Sequence, residues 1–278
     1  MIESPAAVLR RHGLWARKSW GQNFLHAPQV HAAIVAATHA DADTRVVEIG
    51  AGVGTLTTSL LETGAEVWAI ERDRDLCAVL REELGGHPKF RLFEADAVAF
   101  DYASAVDGAH PRPTIVGNLP YHLTGPLLFK LLDHHESTGD WVVMVQKEVA
   151  ERLCAAPGSR TYGGSTVSLG HLRALEWVIA APRGAFLPPP RVDSAVVRLR
   201  PLAEPRGAVA DEAGLRALVR AAFQQRRKTI ANALSVLAPR PTVLRWLESA
   251  GIDPGVRPET LAVESFAALQ RAREEGDA

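Results

Sequence analysis

The first 150 residues alternate between short β-branched or aliphatic runs and segments whose apolar positions recur with helical spacing. Each run predicts a strand, and each intervening segment predicts a helix. Such alternation is typical of βαβ units, which form a parallel, doubly wound sheet with helices on both faces. The predicted strands cover residues 45–49, 66–70, 90–94, 114–117 and 141–145, and the predicted helices cover 55–61, 76–84 and 126–132.

The pattern changes in the later part of the chain. Residues 175–180 and 195–199 read as further strands, which often form an antiparallel edge on a parallel sheet. A polar, proline-containing stretch then predicts a linker, and the apolar spacing beyond it is helical. We therefore expect an α/β domain over residues 1–200, a linker over 201–211 and a small all-helical domain over 212–278.

The composition is that of an ordinary globular protein: 278 residues, 47% hydrophobic and 23% charged. The formal charge is only −1, so no global positive field draws the chain to polyanions. The charge is uneven, however, because residues 45–110 are strongly acidic and residues 216–228 contain five Arg and Lys without an acid. The basic stretch indicates either a local surface for a polyanion or a solvated helix face.

Cysteine content and hydropathy narrow the class of protein. Cys77 and Cys154 are too few for a disulfide framework, and neither has metal-ligand spacing to another Cys or His. No apolar stretch is long enough to span a membrane, and the first 25 residues lack the apolar core of a secretory signal. We expect a soluble, cytoplasmic protein without a metal and without a membrane partner.

A glycine-rich turn follows the first of these five predicted strands. Gly50, Gly52 and Gly54 are spaced two apart before a helix, where glycine lets the backbone approach a ligand closely. A dinucleotide fingerprint would require a glycine at Thr55, which disfavours NAD. With Glu48, the acid-x-Gly-x-Gly-x-Gly pattern resembles motif I of class I S-adenosylmethionine-dependent methyltransferases.

Two acids stand at the ends of the next predicted strands. Glu71 lies where a carboxylate can accept hydrogen bonds from both ribose hydroxyls of a nucleoside cofactor. Asp96 lies where it can accept a hydrogen bond from the adenine amine. Either acid alone would read as a strand-end cap, but three features at successive strand ends predict a site for S-adenosylmethionine.

The fourth predicted strand ends in Asn118-Leu119-Pro120-Tyr121. In isolation these residues could form a strand-terminating turn with a packed tyrosine. Beside a cofactor site they resemble the [Asn/Asp/Ser]-x-Pro-[Tyr/Phe/Trp] signature of methyltransferases that act on nucleobase amines. The Asn118 side-chain oxygen and the Leu119 carbonyl can accept the two N–H groups of an adenine amine and orient its lone pair. Tyr121 can stack on the base, and no strong general base is required.

Nearly the whole chain resembles the bacterial small-subunit (16S) ribosomal RNA adenine N6,N6-dimethyltransferases. That family converts two adjacent adenosines near the 3′ end of the RNA to N6,N6-dimethyladenosine in ribosome biogenesis. The resemblance implies a Rossmann-like class I methyltransferase sheet, mostly parallel with an antiparallel edge, and a C-terminal helical RNA-binding domain. Besides the motifs above, it is carried by residues 21–25, 146–149, 186–197 and 226–229.

The resemblance also implies individual roles. Phe186 would form a second aromatic wall opposite Tyr121, and Arg226, Arg227 and Lys228 would contact RNA phosphates. The implied partner is small-subunit ribosomal RNA or a precursor of the small subunit, and we expect a monomer. The implied cofactor contacts are Gln22, Asn23, Leu25, Glu48, Gly50, Gly52, Gly54, Glu71, Asp96, Ala97 and Asn118.

Three positions depart from the family pattern. Ala51 replaces the usual proline, Trp20 replaces phenylalanine, and Gly164 replaces an arginine. The missing arginine removes one potential RNA contact and leaves the role of residues 160–164 open.

Three alternative functions would require other features of the sequence. A macrolide-resistance type of enzyme would modify large-subunit (23S) RNA with the same chemistry, but the segments at 186–197 and 226–229 favour the small-subunit family. A non-catalytic RNA-binding assembly factor would not need Glu71, Asp96 and the Asn118–Tyr121 tetrapeptide. A DNA adenine methyltransferase would need a target-recognition region that nothing in the chain resembles.

Overall fold

The computed structural model describes residues 3–17, 21–110, 112–225 and 227–277, which form two compact units. The first unit comprises the described residues up to Ala150 together with Glu176–Arg200. The second comprises Glu151–Leu175 and the described residues from Pro201 onward. Residues 151–175, expected in the α/β domain, thus belong to the helical unit. The reason is packing, since Tyr162 and Val167 are buried in the apolar core of that unit.

A seven-stranded sheet forms the first unit, with strand order β4-β3-β2-β5-β6-β9-β7. A separate two-stranded antiparallel ribbon pairs β1 with β8. The strands are β1 (Phe24–Leu25), β2 (Arg45–Ile49), β3 (Glu66–Glu71), β4 (Phe90–Glu94), β5 (Thr114–Asn118), β6 (Trp141–Gln146), β7 (Arg173–Ala181), β8 (Phe186–Leu187) and β9 (Ser194–Pro201).

The helices cover the intervening segments and most of the C-terminal part of the chain. They are α1 (Pro5–Arg11), α2 (Pro28–Thr38), α3 (Thr55–Glu62), α4 (Arg74–Leu84), α5 (Thr124–Asp133), α6 (Lys147–Leu153), α7 (Gly164–Gly170), α8 (Glu212–Gln224), α9 (Ile230–Leu234), α10 (Arg240–Ser249) and α11 (Val263–Asp277).

Parallel pairing of the five predicted strands is confirmed. β2 pairs in parallel with β3 and with β5, β3 pairs in parallel with β4, and β5 pairs in parallel with β6. β9 runs antiparallel to β6, so the predicted antiparallel addition is also present. β9 lies between β6 and the edge strand β7.

The order of the strands determines where a ligand can bind. The chain passes from β2 to β3 and β4 on one side and later returns to β5 on the other side of β2. Between β2 and β5 the helices leave the sheet in opposite directions, which opens a crevice at the carboxyl ends of these strands. All five residues of β2 are buried because helices cover both faces of the sheet.

The amino ends of β2 and β3 are closed by one buried arginine. Arg45, only 6% exposed, donates to Glu66 Oε2 (2.8 Å), to Asp107 Oδ2 (2.7 Å) and to the Ala105 carbonyl (2.7 Å), and its guanidinium lies 4.6 Å from the centre of the Trp68 ring. The ion pair with Arg45 holds the pKa of Asp107 at about 2. This end of the sheet is therefore filled by structural contacts.

The second unit is built from helices around its own apolar core. Amphipathic spacing explains this packing, because α8 buries Leu215, Leu218 and Val219 on one face. Phe266 on α11 and Val243 on α10 complete the same core. None of the described helices is long and apolar enough to cross a membrane.

Candidate active site

A cavity of about 420 Å³ opens at the carboxyl ends of β2, β3 and β5, at the crevice expected from the strand order. Its volume suits a ligand of nucleoside size. Most of the residues singled out from the sequence line it together. They are Gln22, Asn23, Leu25, Glu48, Gly50, Gly52, Glu71, Asp96, Ala97, Asn118, Leu119, Pro120 and Tyr121.

The glycine turn after β2 requires glycine for conformational and for steric reasons. Gly50 and Gly52 have φ values of +73° and +61°, a left-handed region that side chains disfavour. A Cβ at Gly52 would also lie 3.1 Å from the Phe24 ring. Gly54 does not line the cavity. It is the N-cap of α3, so its contribution to the site is to begin the helix.

Glu71 ties the glycine turn to the end of β3. Its Oε2 accepts the Gly52 N–H at 2.9 Å, and its Oε1 accepts the N–H groups of Arg72 (2.7 Å) and Asp73 (2.9 Å). Burial raises the pKa of Glu71 in spite of these hydrogen bonds. The carboxylate is therefore held in one orientation at the cavity wall.

Glu48 is the most deeply buried carboxyl group of the cavity. It is 2% exposed, and the Thr57 hydroxyl donates to its Oε2 at 2.6 Å. Burial raises its pKa to about 7, and the nearby charge of Glu71 adds to the effect. Glu71, Asp73 and Asp96 also line the cavity, where Arg72 is the one Arg or Lys among the described lining residues, so acidic groups predominate and the electrostatic field favours a cationic ligand.

Asp96 stands at the rim of the cavity, following β4. Its Oδ1 accepts the Val98 N–H at 2.9 Å, and its Oδ2 lies 3.5 Å from Arg72 Nη1. The side chain is 42% exposed. It thus caps the turn after β4 and still presents carboxylate oxygen to a ligand.

The segment before β1 is fixed by a carboxylate that sequence reasoning missed. Gln22 Nε2 donates to Asp73 Oδ2 at 2.7 Å, and Gln22 Oε1 accepts the Arg17 N–H at 2.8 Å. Asp73 is also the N-cap of α4 and accepts the Asp75 N–H at 3.0 Å. An Asp before a predicted helix is the signal that could have found it.

Asn118, at the end of β5, is oriented by the same segment. Its Nδ2 donates to the main-chain carbonyl of Asn23 at 3.0 Å. The amide nitrogen is therefore committed, and the side-chain oxygen remains as an acceptor for a group in the cavity. Leu119 and Pro120 line the cavity directly after it.

The two predicted aromatic walls differ in the structure. Tyr121 begins a 3₁₀ turn (Tyr121–Leu123), lines the cavity and is half-buried, and burial raises its pKa. Phe186 is 2% exposed in the core of the first unit, is paired with Leu25 in the β1–β8 ribbon, and is not among the cavity-lining residues. The role of Phe186 as a second wall opposite Tyr121 stays a prediction.

Two of the three predicted RNA-binding residues belong to the described part of the second unit, and neither lines the cavity. Arg227 and Lys228 are exposed in the turn between α8 and α9, whereas Arg226 and Trp20 lie outside the described residues. Gly164 is the first residue of α7, and a Cβ there would lie 3.5 Å from Val219 on α8. This distance is an ordinary van der Waals contact, so packing does not by itself require glycine at this position.

Other cavity residues had no sequence signal. His31 and Ile34 on α2 line the cavity, and burial lowers the pKa of His31. Among the residues that the structure describes, no group of three or more His, Cys, Asp or Glu side chains is arranged to hold a metal ion.

Comparisons with known proteins agree with this geometry. A family described as ribosomal RNA adenine dimethylase matches residues 13–273. A "Ribosomal RNA small subunit methyltransferase A" of Myxococcus xanthus is 46% identical over 274 residues, which are 98% of this chain and 95% of that protein. A dimethyladenosine transferase structure from Plasmodium falciparum is 25% identical with a TM-score of 0.78, covering 91% of this chain and 98% of its own. The structure of the 23S rRNA methyltransferase ErmE is 27% identical with a TM-score of 0.71, covering 91% and 100%.

The raised pKa of Glu48 predicts a pH-dependent stability. The pKa of this carboxyl group is higher in the folded chain than in the unfolded chain. Its contribution to stability is therefore fully present below the unfolded pKa, near 4.5, and is lost as the pH rises through the folded pKa of about 7. Glu48→Gln should therefore stabilise the ligand-free protein more at pH 8.5 than at pH 5, by about 1.4 kcal/mol per unit of pKa difference.

Urea denaturation at the two pH values measures this effect, and Glu62→Gln, an exposed carboxylate on α3, is the matched control. A stability difference for Glu48→Gln that does not change with pH would contradict the interpretation of Glu48.

Proposed function

The chain belongs to the ribosomal RNA adenine dimethylase family, and we propose that it dimethylates adenosine in small-subunit (16S) ribosomal RNA. The proposed substrates are the N6 amines of two adjacent adenosines near the 3′ end, modified during ribosome biogenesis in the cytoplasm. The orientation of Asn118 carries the proposal. Since its Nδ2 donates to the Asn23 carbonyl, its side-chain oxygen is the atom available to accept an N–H from a substrate amine.

The chemistry explains why two acceptors are needed. The lone pair of an adenine amine is delocalised into the ring, which makes the nitrogen a poor nucleophile. The Asn118 oxygen and the Leu119 carbonyl would accept its two N–H groups and favour a pyramidal nitrogen with its lone pair oriented for attack. The amine becomes acidic as it is methylated, so its proton can pass to water without a strong general base. Positioning is then the main catalytic contribution of the chain.

Base binding is assigned to Tyr121, whose ring lines the cavity directly after the acceptor pair. Stacking of an unpaired base on an aromatic ring contributes about 1–3 kcal/mol. Phe186 is the second predicted aromatic wall. Its ring is buried in the core of the first unit and would have to reach the cavity from that position. Tyr121 is therefore the aromatic contact that the described geometry supports.

S-adenosylmethionine fits the residues that are present. When bound, it supplies a methyl group on a positively charged sulfur, and the sulfur keeps the C–S electron pair as the N–C bond forms. A cationic ligand suits the acidic lining of the cavity, and Glu71 Oε2, which accepts a single N–H, keeps a lone pair for a ribose hydroxyl. Asp96 and Ala97 would hold the adenine, and the glycine turn with Gln22, Asn23 and Leu25 would enclose the rest.

The choice of small-subunit RNA over large-subunit RNA rests on similarity. The relative named for the small subunit is 46% identical to the chain, whereas the 23S rRNA methyltransferase structure is 27% identical. A non-catalytic assembly factor would not require the Asn118 orientation or the acidic cavity. We further propose that the protein acts as a monomer, with its RNA contacts made by Arg226, Arg227 and Lys228.

Removal of the Glu71 carboxylate should sharply weaken cofactor binding. The ribose would lose a charged acceptor, and a hydrogen bond to a charged group contributes about 1.5–3 kcal/mol. Titration calorimetry of Glu71→Ala with S-adenosylmethionine should show at least a tenfold higher Kd, while Glu62→Ala should bind like the wild type. Melting of the ligand-free variants reports any folding defect separately. An unchanged Kd for Glu71→Ala would remove Glu71 from the cofactor site.

The product should be dimethyladenosine in small-subunit RNA. Undermethylated small subunits, large subunits and free DNA are each incubated with labelled S-adenosylmethionine, and the nucleosides are resolved by mass spectrometry. Asn118→Ala should abolish transfer while still binding small subunits, because its amide positions the amine and lies in the cavity. A product that stops at monomethyladenosine, or label found in large-subunit RNA, would overturn the proposed function.

The basic stretch should dominate the affinity for RNA. Reversal of Arg226, Arg227 and Lys228 to Glu should weaken small-subunit binding and reduce its salt dependence, since each phosphate contact contributes a slope of about 0.7–0.9. Affinity for S-adenosylmethionine should survive. A loss of cofactor binding, with subunit binding intact, would show that these residues serve the fold instead.

The control for this variant has the same change of net charge in the other unit. It reverses Arg74, Arg81 and Arg91, which are exposed and lie against Glu94 or Glu66. If this control weakens subunit binding as much as the first variant does, the effect is one of global charge, and the assignment to residues 226–228 fails.

A further inference from the structure

The hydroxyl group of Tyr121 has no part in the chemistry proposed above. Stacking uses only the face of the ring, which phenylalanine would provide equally well. Nevertheless, the Tyr121 hydroxyl shares a hydrogen bond of 2.7 Å with Ser194 Oγ. Over the described ranges of the chain, this is the one hydrogen bond that either hydroxyl makes. Burial raises the pKa of Tyr121, which keeps the phenol protonated and able to donate at neutral pH.

Ser194 offers a rigid anchor. It is 0% exposed and is the first residue of β9, opposite Gln146 of β6 in the antiparallel register. The preceding residue is held twice: the Asp193 carbonyl accepts the Lys147 N–H, and Asp193 Oδ1 accepts the Arg183 N–H, both at 2.9 Å. The backbone that carries Ser194 Oγ is therefore fixed on both sides.

The ring of Tyr121 needs such an anchor more than a core residue does. It follows Pro120 in a three-residue 3₁₀ turn and is half-buried at the cavity, so packing restrains only part of it. A serine hydroxyl beside the fully buried Ala195 and Val196 is unfavourable unless it is hydrogen-bonded. One hydrogen bond thus satisfies the buried Ser194 hydroxyl and also restrains the Tyr121 ring, which packing restrains only in part.

We propose that Ser194 is a positioning residue that holds the Tyr121 ring in the orientation that stacks on the target adenine. The inference rests on the proposed function. It concerns the second methyl transfer most strongly, because the monomethylated amine has a single N–H left for the acceptor pair. Stacking then accounts for a larger share of the contacts that keep the base in place.

The test compares Ser194→Ala, Tyr121→Phe and the double variant with the wild type on undermethylated small subunits. Each single variant should slow the second transfer by about three- to tenfold, the effect of one neutral hydrogen bond. The double variant should be no slower than either single variant, because both remove the same bond. Ser168→Ala, a second buried serine that lies on α7, is the matched control and should behave like the wild type.

The decisive measurement is the ratio of monomethyladenosine to dimethyladenosine at equal total methyl transfer. A misplaced ring raises this ratio, whereas a smaller folded fraction lowers both transfers together and leaves it unchanged. Affinity for S-adenosylmethionine, measured on the same samples, should stay at the wild-type value in every variant. The unfolding temperature should stay near the wild-type value for Ser194→Ala and fall for Tyr121→Phe, which leaves the buried Ser194 hydroxyl without its partner.

A wild-type ratio for Ser194→Ala, or additive losses in the double variant, would overturn the inference. A proportional loss of both transfers with a lowered unfolding temperature would also overturn it, since Ser194 would then serve stability alone. If the wild-type protein itself forms no dimethyladenosine in small-subunit RNA, it is the proposed function that fails. The wild-type sample therefore separates the two failures.

Discussion

One buried carboxylate organises the glycine-turn side of the cavity. Glu71 accepts hydrogen bonds from the main-chain N–H groups of Gly52, Arg72 and Asp73, and so joins the glycine turn after β2 to the beginning of α4. Neutral acceptors would hold these groups less strongly, because hydrogen bonds to a charged oxygen are about twice as strong. The turn can adopt its left-handed backbone only because its glycines permit it, and Glu71 then holds it in place.

The contacts continue from Glu71 to Asn118, the proposed acceptor of the substrate amine. Asp73, placed by Glu71, binds the Gln22 side chain, and the next residue, Asn23, accepts from the Asn118 amide. The segment before β1 thus supports both the glycine-turn side and the Asn118 side of one cavity. Arg45 closes the opposite, amino end of the sheet, which leaves the carboxyl ends of the strands available for binding.

The elements that sequence reasoning found are those with a repeating pattern. Four of the five parallel strands, β2, β3, β5 and β6, are mostly apolar because both of their faces are buried, whereas the edge strand β4 is only partly buried and carries Arg91 and Glu94. The elements that it missed include the helices α1 and α2 and two very short strands. β1 and β8 contain two residues each and exist only because positions 24–25 pair with positions 186–187, far away along the chain. Residues 151–175 were placed in the first domain, since nothing local indicates that Tyr162 and Val167 are buried with α8.

The sequence by itself determined that each candidate motif lies at the carboxyl end of its own strand. The motifs are the glycine turn, Glu71, Asp96 and the Asn118–Tyr121 tetrapeptide, and parallel strands bring their carboxyl ends to one edge of the sheet. Local rules suffice for that, because each motif ends its own strand. Only the tertiary structure decided which atoms of these residues are hydrogen-bonded or buried. The Asn118 nitrogen donates to the Asn23 carbonyl, the Tyr121 hydroxyl is bonded to Ser194, and Phe186 is paired in the β1–β8 ribbon. Each of these partners is remote in sequence. Hydrogen bonds and packing between distant segments are set by the assembled sheet, and no local pattern of residues encodes them.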